Sequence, residues 1–127
     1  MFRILTSFKV NECNDAVRVE VRDEPGAGGA HHLYNVEWPT PRGPCKGAPC
    51  NTEIRFQNGP IKENGTNGLT HEVLLSIIED RLKSFQAGPY ACRENALALT
   101  HLQEAMHWLL HRTRERLQRG VEGTMAK

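Results

Sequence analysis

Three arginines, Arg112, Arg116 and Arg119, fall at i, i+4 and i+7, which gathers their guanidinium groups on one helical face. Like charges at this spacing repel by about 0.2–0.5 kcal/mol per pair, although a helix C-terminus favours positive charge. Arginine carries a planar fork that matches phosphate oxygens, so the face reads as a phosphate clamp. The alternative is a solvated basic end with Glu115 and Glu122 as partners. A second group flanks Gly88-Pro89-Tyr90. Phe85 and Gln86 end one helix, and Arg93, Glu94 and Asn95 open the next. An aromatic face beside an amide suits a nucleobase, the ring stacking and the amide reading a polar edge. Phe85 as hairpin core is the competing reading.

The elements that must position these residues form a helical hairpin from Leu69 to about Gln118. In the first arm Leu69, Val73, Leu74, Ile77, Ile78, Leu82 and Phe85 recur at three- and four-residue spacing, with Thr70 as N-cap. Gly88 ends that arm, and Pro89 is placed in the first turn of the next. Leu99, Leu102, Met106 and Leu109 form the seam of the second arm, while Leu97, Trp108 and Leu110 fall outside it. That arm is apolar over more than one stripe, so the sheet or a second subunit is expected to cover it. Asn95 and Arg112 are separated by about 25 Å along one helix at 1.5 Å per residue. Either these are two sites, or two hairpins pack antiparallel and form a symmetric dimer with two composite sites.

The preceding residues read as a sheet. Strands are expected over 2–10, 16–22, 32–38 and 52–57, the first two forming an antiparallel hairpin about Asn11 to Asp15. Val17, Val19 and Val21 share one face, and Arg18, Glu20 and Arg22 the other. The segment 39–51 holds four prolines and two glycines, which excludes regular structure, and KENGTNG reads as a loop. The predicted fold is therefore α+β, a small N-terminal antiparallel sheet (1–58) and a long helical hairpin with its tail (59–127) in one domain.

The 127 residues carry a net charge of +1, so anion affinity must come from local clustering. No apolar run has the length of a membrane span and no signal peptide is read at the start, which points to the cytosol with reduced cysteines. Cys45 and Cys50 are spaced more widely than a zinc knuckle and read as solvated loop thiols, and Cys92 as packed at a helix start. Glu104, His107 and His111 share a face, but the second Glu-x-x-His that a bundle metal site needs does not occur, so no metal is assigned. With no catalytic triad, Walker loop or deaminase signature, no cofactor or enzymatic activity is assigned either.

The stretches QNGPIKENGTNG, FQAGPYACRENALALT and HWLLHRTRERLQRGVEGT resemble the first-type Thoeris anti-defence proteins of phages. That family shares a hairpin domain with a phage protein that counters cyclic-oligonucleotide signalling. The resemblance covers about 57–124. It implies a sponge in the host bacterial cytoplasm that binds cyclic ADP-ribose isomers made by TIR-domain enzymes and holds them uncleaved. Some members also bind cyclic di- or trinucleotides at separate sites, and members assemble through their helices into dimers or hexamers built from dimers. On the resemblance, Phe85 stacks on the adenine, Asn95 hydrogen-bonds the ligand, and Arg112 and Arg116 of a neighbouring subunit hold the diphosphate. Arg119 to Thr124 closes the pocket, and Arg93 belongs to a cyclic trinucleotide site. The rival reading is a nucleic-acid- or protein-binding helical scaffold using the basic helix end. Near-neutral charge and a short basic patch argue against a nucleic-acid polymer.

Overall fold

The computed structural model describes residues 3–40 and 47–127. The chain is α+β and divides into two compact units, 1–59 with 66–68, and 60–65 with 69–127.

The first unit is an antiparallel meander of β1 (Arg3–Leu5), β2 (Arg18–Val21), β3 (Leu33–Trp38) and β4 (Cys50–Arg55) in sequence order. Register places Val21 opposite Tyr34 and Tyr34 opposite Ile54, with Val19 opposite Val36, so one face is apolar. Tyr34 and Phe56 meet edge to face at 5.8 Å. On the other face Glu20 pairs with both Arg18 and Arg22, at 3.2 and 2.9 Å. Val21 is the most deeply buried side chain of the sheet, 2% exposed.

β1 stops at Leu5, short of the expected Val10, because the chain turns early. Asn11 caps a single helical turn, α1 (Glu12–Asp15), its side chain accepting from Asn14 N at 2.7 Å. β4 begins at Cys50, two residues before the expected Thr52, in register with Trp38. That register buries Cys50, which is disulfide-bonded rather than a solvated thiol. The expectation for Cys45 lies outside the described residues. Cys13 and Cys92 are free and exposed.

In the second unit α2 (Ile61–Asn64) is one helical turn where a loop was expected. A run of four residues, followed at once by Gly65, carries no periodicity from which to read it. The hairpin is α3 (His71–Gln86) and α4 (Arg93–Gln118). Thr70 holds the N-cap position of α3 without a capping side-chain bond. Pro89 lies in the connection, not in α4. Cys92 caps that helix, its Sγ accepting from Asn95 N at 3.4 Å, and Cys92 N donates to Gln86 Oε1 at 3.1 Å. The connection therefore takes the residues that a proline-initiated helix would have used.

Leu99, Leu102, Met106 and Leu109 are half-buried along the seam with α3, where Leu74, Leu82 and Phe85 are likewise half-buried. Much apolar surface stays uncovered: Ile77, Trp108 and Leu117 are 61%, 65% and 61% exposed. No helix among the described residues is long and apolar enough to cross a membrane.

Candidate functional site

At the hairpin turn an open groove of about 620 Å³ lies between Ile77, Asp80, Arg81 and Phe85 of α3 and the Gly88–Tyr90 connection. It falls in the size range of small-molecule sites. Phe85 is half-buried, so its ring belongs in part to the hairpin core and in part to the groove. Arg81 stands over that ring, its Cζ 5.0 Å from the centroid. Tyr90 at the rim is 74% exposed. Asn95, in the first turn of α4, is half-buried and lies outside the groove lining. The Gln86 side-chain oxygen is engaged by Cys92 N, which leaves Asn95 as the nearby amide with no side-chain hydrogen bond among the described residues.

Arg93 is the first residue of α4 and exposed. Positive charge there works against the helix dipole, by about 0.3–1 kcal/mol. Its side chain forms no ion pair or hydrogen bond among the described residues.

At the far end of α4 the three arginines differ sharply. Arg112 is exposed and forms no side-chain ion pair or hydrogen bond among the described residues. Arg119 caps the helix, half-exposed, with its Nε 4.0 Å from Glu115 Oε1, and donates to Lys127 O. Arg116 is 5% exposed. It donates to Val121 O at 3.0 Å, Thr124 O at 3.1 Å and Ala126 O, and its Nε lies 3.4 Å from Glu122 Oε2. The three carbonyls take three of the guanidinium's five donors, while Nε faces Glu122 as an ion pair without a hydrogen bond. Glu115 and Glu122 are thus the arginine partners that the sequence offered, but Arg116 is buried rather than solvated.

The tail itself follows from its sequence. Gly120, at φ 71°, lets Val121 N reach Arg116 O at 3.0 Å and Gly120 N reach Leu117 O at 3.1 Å, which closes the last carbonyls of α4. Gly123, at φ 83°, comes so close to α2 that a Cβ there would meet Ile61 Cγ1 at 3.0 Å. Lys62 N donates to Gly123 O at 3.3 Å.

The histidines of α4 do not converge. Glu104 faces His101 at 3.5 Å, while His107 and His111 stack at 6.2 Å. In the sheet unit a separate polar cluster joins loop to strand. Asp23 accepts from His32 N at 2.8 Å and lies 3.6 Å from His31, and Asn58 accepts from Ala27 N at 3.1 Å. Burial alone would raise the Asp23 pKa, but the backbone N–H groups of His32 and Leu33 and the two imidazoles outweigh it. The carboxyl is held below its ordinary range.

The helix-end groups of the hairpin were visible in sequence. Arg81 was not singled out there, although its i, i+4 spacing from Phe85 signals the contact.

Residues 49–114 match the family described as Acb2/Tad1, hairpin domain. Over 74 residues the chain is 51% identical to a protein of Bacillus phage SBSphiJ7 named Thoeris anti-defense 1. The match takes in 58% of this chain and 52% of that relative, so the chain spans about half of the relative's length.

Proposed function

Because the chain belongs to the Acb2/Tad1 hairpin-domain family, we propose that it is a phage anti-defence sponge, which binds cyclic ADP-ribose isomers made by TIR-domain enzymes and holds them without cleavage. The observation that carries the reading is the placement of two chemically complementary ends on one long hairpin. Phe85 and Asn95 stand at the turn, and the unpaired Arg112 stands about 25 Å away along α4, beyond the reach of one small nucleotide. Two copies packed antiparallel bring the Arg112 end of one to the Phe85 end of the other and complete two equivalent sites. The exposed Ile77, Trp108 and Leu117 supply apolar surface for that assembly, as a dimer or as a hexamer built from dimers.

In such a site Phe85 stacks on the adenine and Asn95 hydrogen-bonds the ligand. Arg112 of the second copy, with Arg119 beside it, holds the diphosphate. Arg116 reaches a phosphate only by exchanging tail carbonyls for it, so its part in the resting chain is to fold the tail at the helix end. Arg93, with no ion pair or hydrogen bond among the described residues at the helix start, is the residue proposed for a separate cyclic trinucleotide site.

Sequestration works by mass action, so affinity must exceed the effector's and copy number must exceed the signal. A rigid hairpin favours this, since preorganised groups lose little freedom on binding. The test is incubation with a TIR-generated cyclic ADP-ribose isomer, removal of the protein, heat denaturation, and mass spectrometry of what is released. Depletion from solution followed by recovery of intact ligand is the expected result. A converted product would make the protein an enzyme, and no depletion would leave the scaffold reading in its place.

A further inference from the structure

We infer that Arg81 is the anion contact of the Phe85 groove within the chain itself, holding a ligand phosphate while Phe85 holds the base. The inference rests on the groove being the nucleotide site proposed above, and adds a residue and a charge to it. Arg81 sits one helical turn before Phe85, and its guanidinium carbon lies 5.0 Å from the ring centroid. A cation–π contact of this kind fixes the group in place without using its N–H donors in a conventional hydrogen bond. Among the described residues no carboxylate or carbonyl takes those donors, although Asp80 lines the same groove. A free guanidinium held over an aromatic ring suits a phosphorylated base, whose planar part stacks against the part of the ring that the guanidinium leaves open while its oxygens meet the fork.

Distance decides which arginine can serve from the same chain. A nucleotide's phosphate lies several ångströms from its base, a span that Arg81 covers from Phe85. Arg112 is about 25 Å along α4 from Asn95 and can act only from a second copy. The groove's own charge is balanced, since Asp80 offsets Arg81, so selectivity falls to ligands that place a phosphate at the guanidinium rather than to polyanions at large.

The experiment is calorimetric titration of the full chain with a cyclic ADP-ribose isomer and, separately, with ADP, comparing wild type, Arg81→Gln and Arg81→Lys. Arg81→Gln is expected to weaken binding of both probes by about tenfold or more, and Arg81→Lys to recover only part of that loss, since the charge returns without the fork. Unchanged affinity in Arg81→Gln overturns the assignment. So does Arg81→Lys as weak as Arg81→Gln, which would make the planar stack, not the charge, the contribution. A wild type that binds neither probe removes the nucleotide reading together with this one. A wild type that binds while Arg81→Gln matches it removes Arg81 alone.

Discussion

The Nε of Arg116 lies 3.4 Å from Glu122 Oε2, and this pair, with the tail carbonyls of Val121, Thr124 and Ala126, makes an arginine read as a surface clamp into a folding group. Removing a buried cation leaves its partners unpaired. Arg116→Ala should destabilise the chain by about 2–4 kcal/mol. Exposed Arg112→Ala should stay within about 0.5 kcal/mol of wild type. Urea denaturation of the two variants checks the contrast. Equal stability would mean that the Arg116 contacts add nothing to the fold.

Gly123 tests the tail from its other side. Its positive φ and the 3.0 Å approach to Ile61 Cγ1 disfavour any side chain, whereas Gly120 has open space at the same backbone conformation. Gly120→Ala should destabilise by about 1 kcal/mol, from backbone strain alone. Gly123→Ala should exceed that by about another 1 kcal/mol, through the displaced contact with α2. Thermal unfolding of the two variants side by side provides the comparison.

Asp23 links the sheet unit to pH. Its carboxyl titrates below the ordinary range in the folded chain, so the unfolded chain binds the proton more readily. The stabilisation is therefore present above the unfolded-state pKa and is lost as pH falls through the folded one. Asp23→Asn should be less stable than wild type at neutral pH, and the gap should narrow progressively under acid. Denaturation series at several pH values measure it, and a gap independent of pH would remove the carboxylate's charge as the cause.

Self-association should depend on the uncovered helix faces. Trp108 and Ile77 are 65% and 61% exposed. Trp108→Glu or Ile77→Glu should shift the sedimentation profile towards monomer while leaving helicity intact, because an exposed residue adds little to the isolated hairpin. An unaltered profile in both would place the second copy on another face.

The hairpin was legible because its apolar residues repeat at helical spacing for several turns. The family resemblance, carried by particular stretches rather than by that repeat, is borne out by the match over 49–114. The four strands were found from their alternation, with errors at the ends, where Asn11 capping and the Cys50–Trp38 register decide matters that local pattern does not contain. Arg112 and Arg116 looked alike in sequence because spacing gives a shared face and nothing more. Their difference comes from a tail that folds back onto one of them, and backbone carbonyls acting as acceptors leave no trace in residue types. Arg81 escaped notice for a related reason: a single arginine within an apolar stripe reads as the helix's wet side until the ring beneath it is placed.

The central claim is a site shared between two copies, and mixing two damaged proteins tests it most directly. Phe85→Ala alone should lose about 1–3 kcal/mol of binding through absent stacking, and Arg112→Ala a comparable amount through an unpaired phosphate. When equal amounts are mixed and allowed to exchange, half of the dimers carry one site with both groups intact. Titration with a cyclic ADP-ribose isomer should then recover tight binding at about a quarter of all sites. Recovery at that level would establish that Phe85 and Arg112 act from different chains. No recovery, under conditions where subunit exchange is demonstrated, would contradict the composite site and return the two helix ends to separate roles.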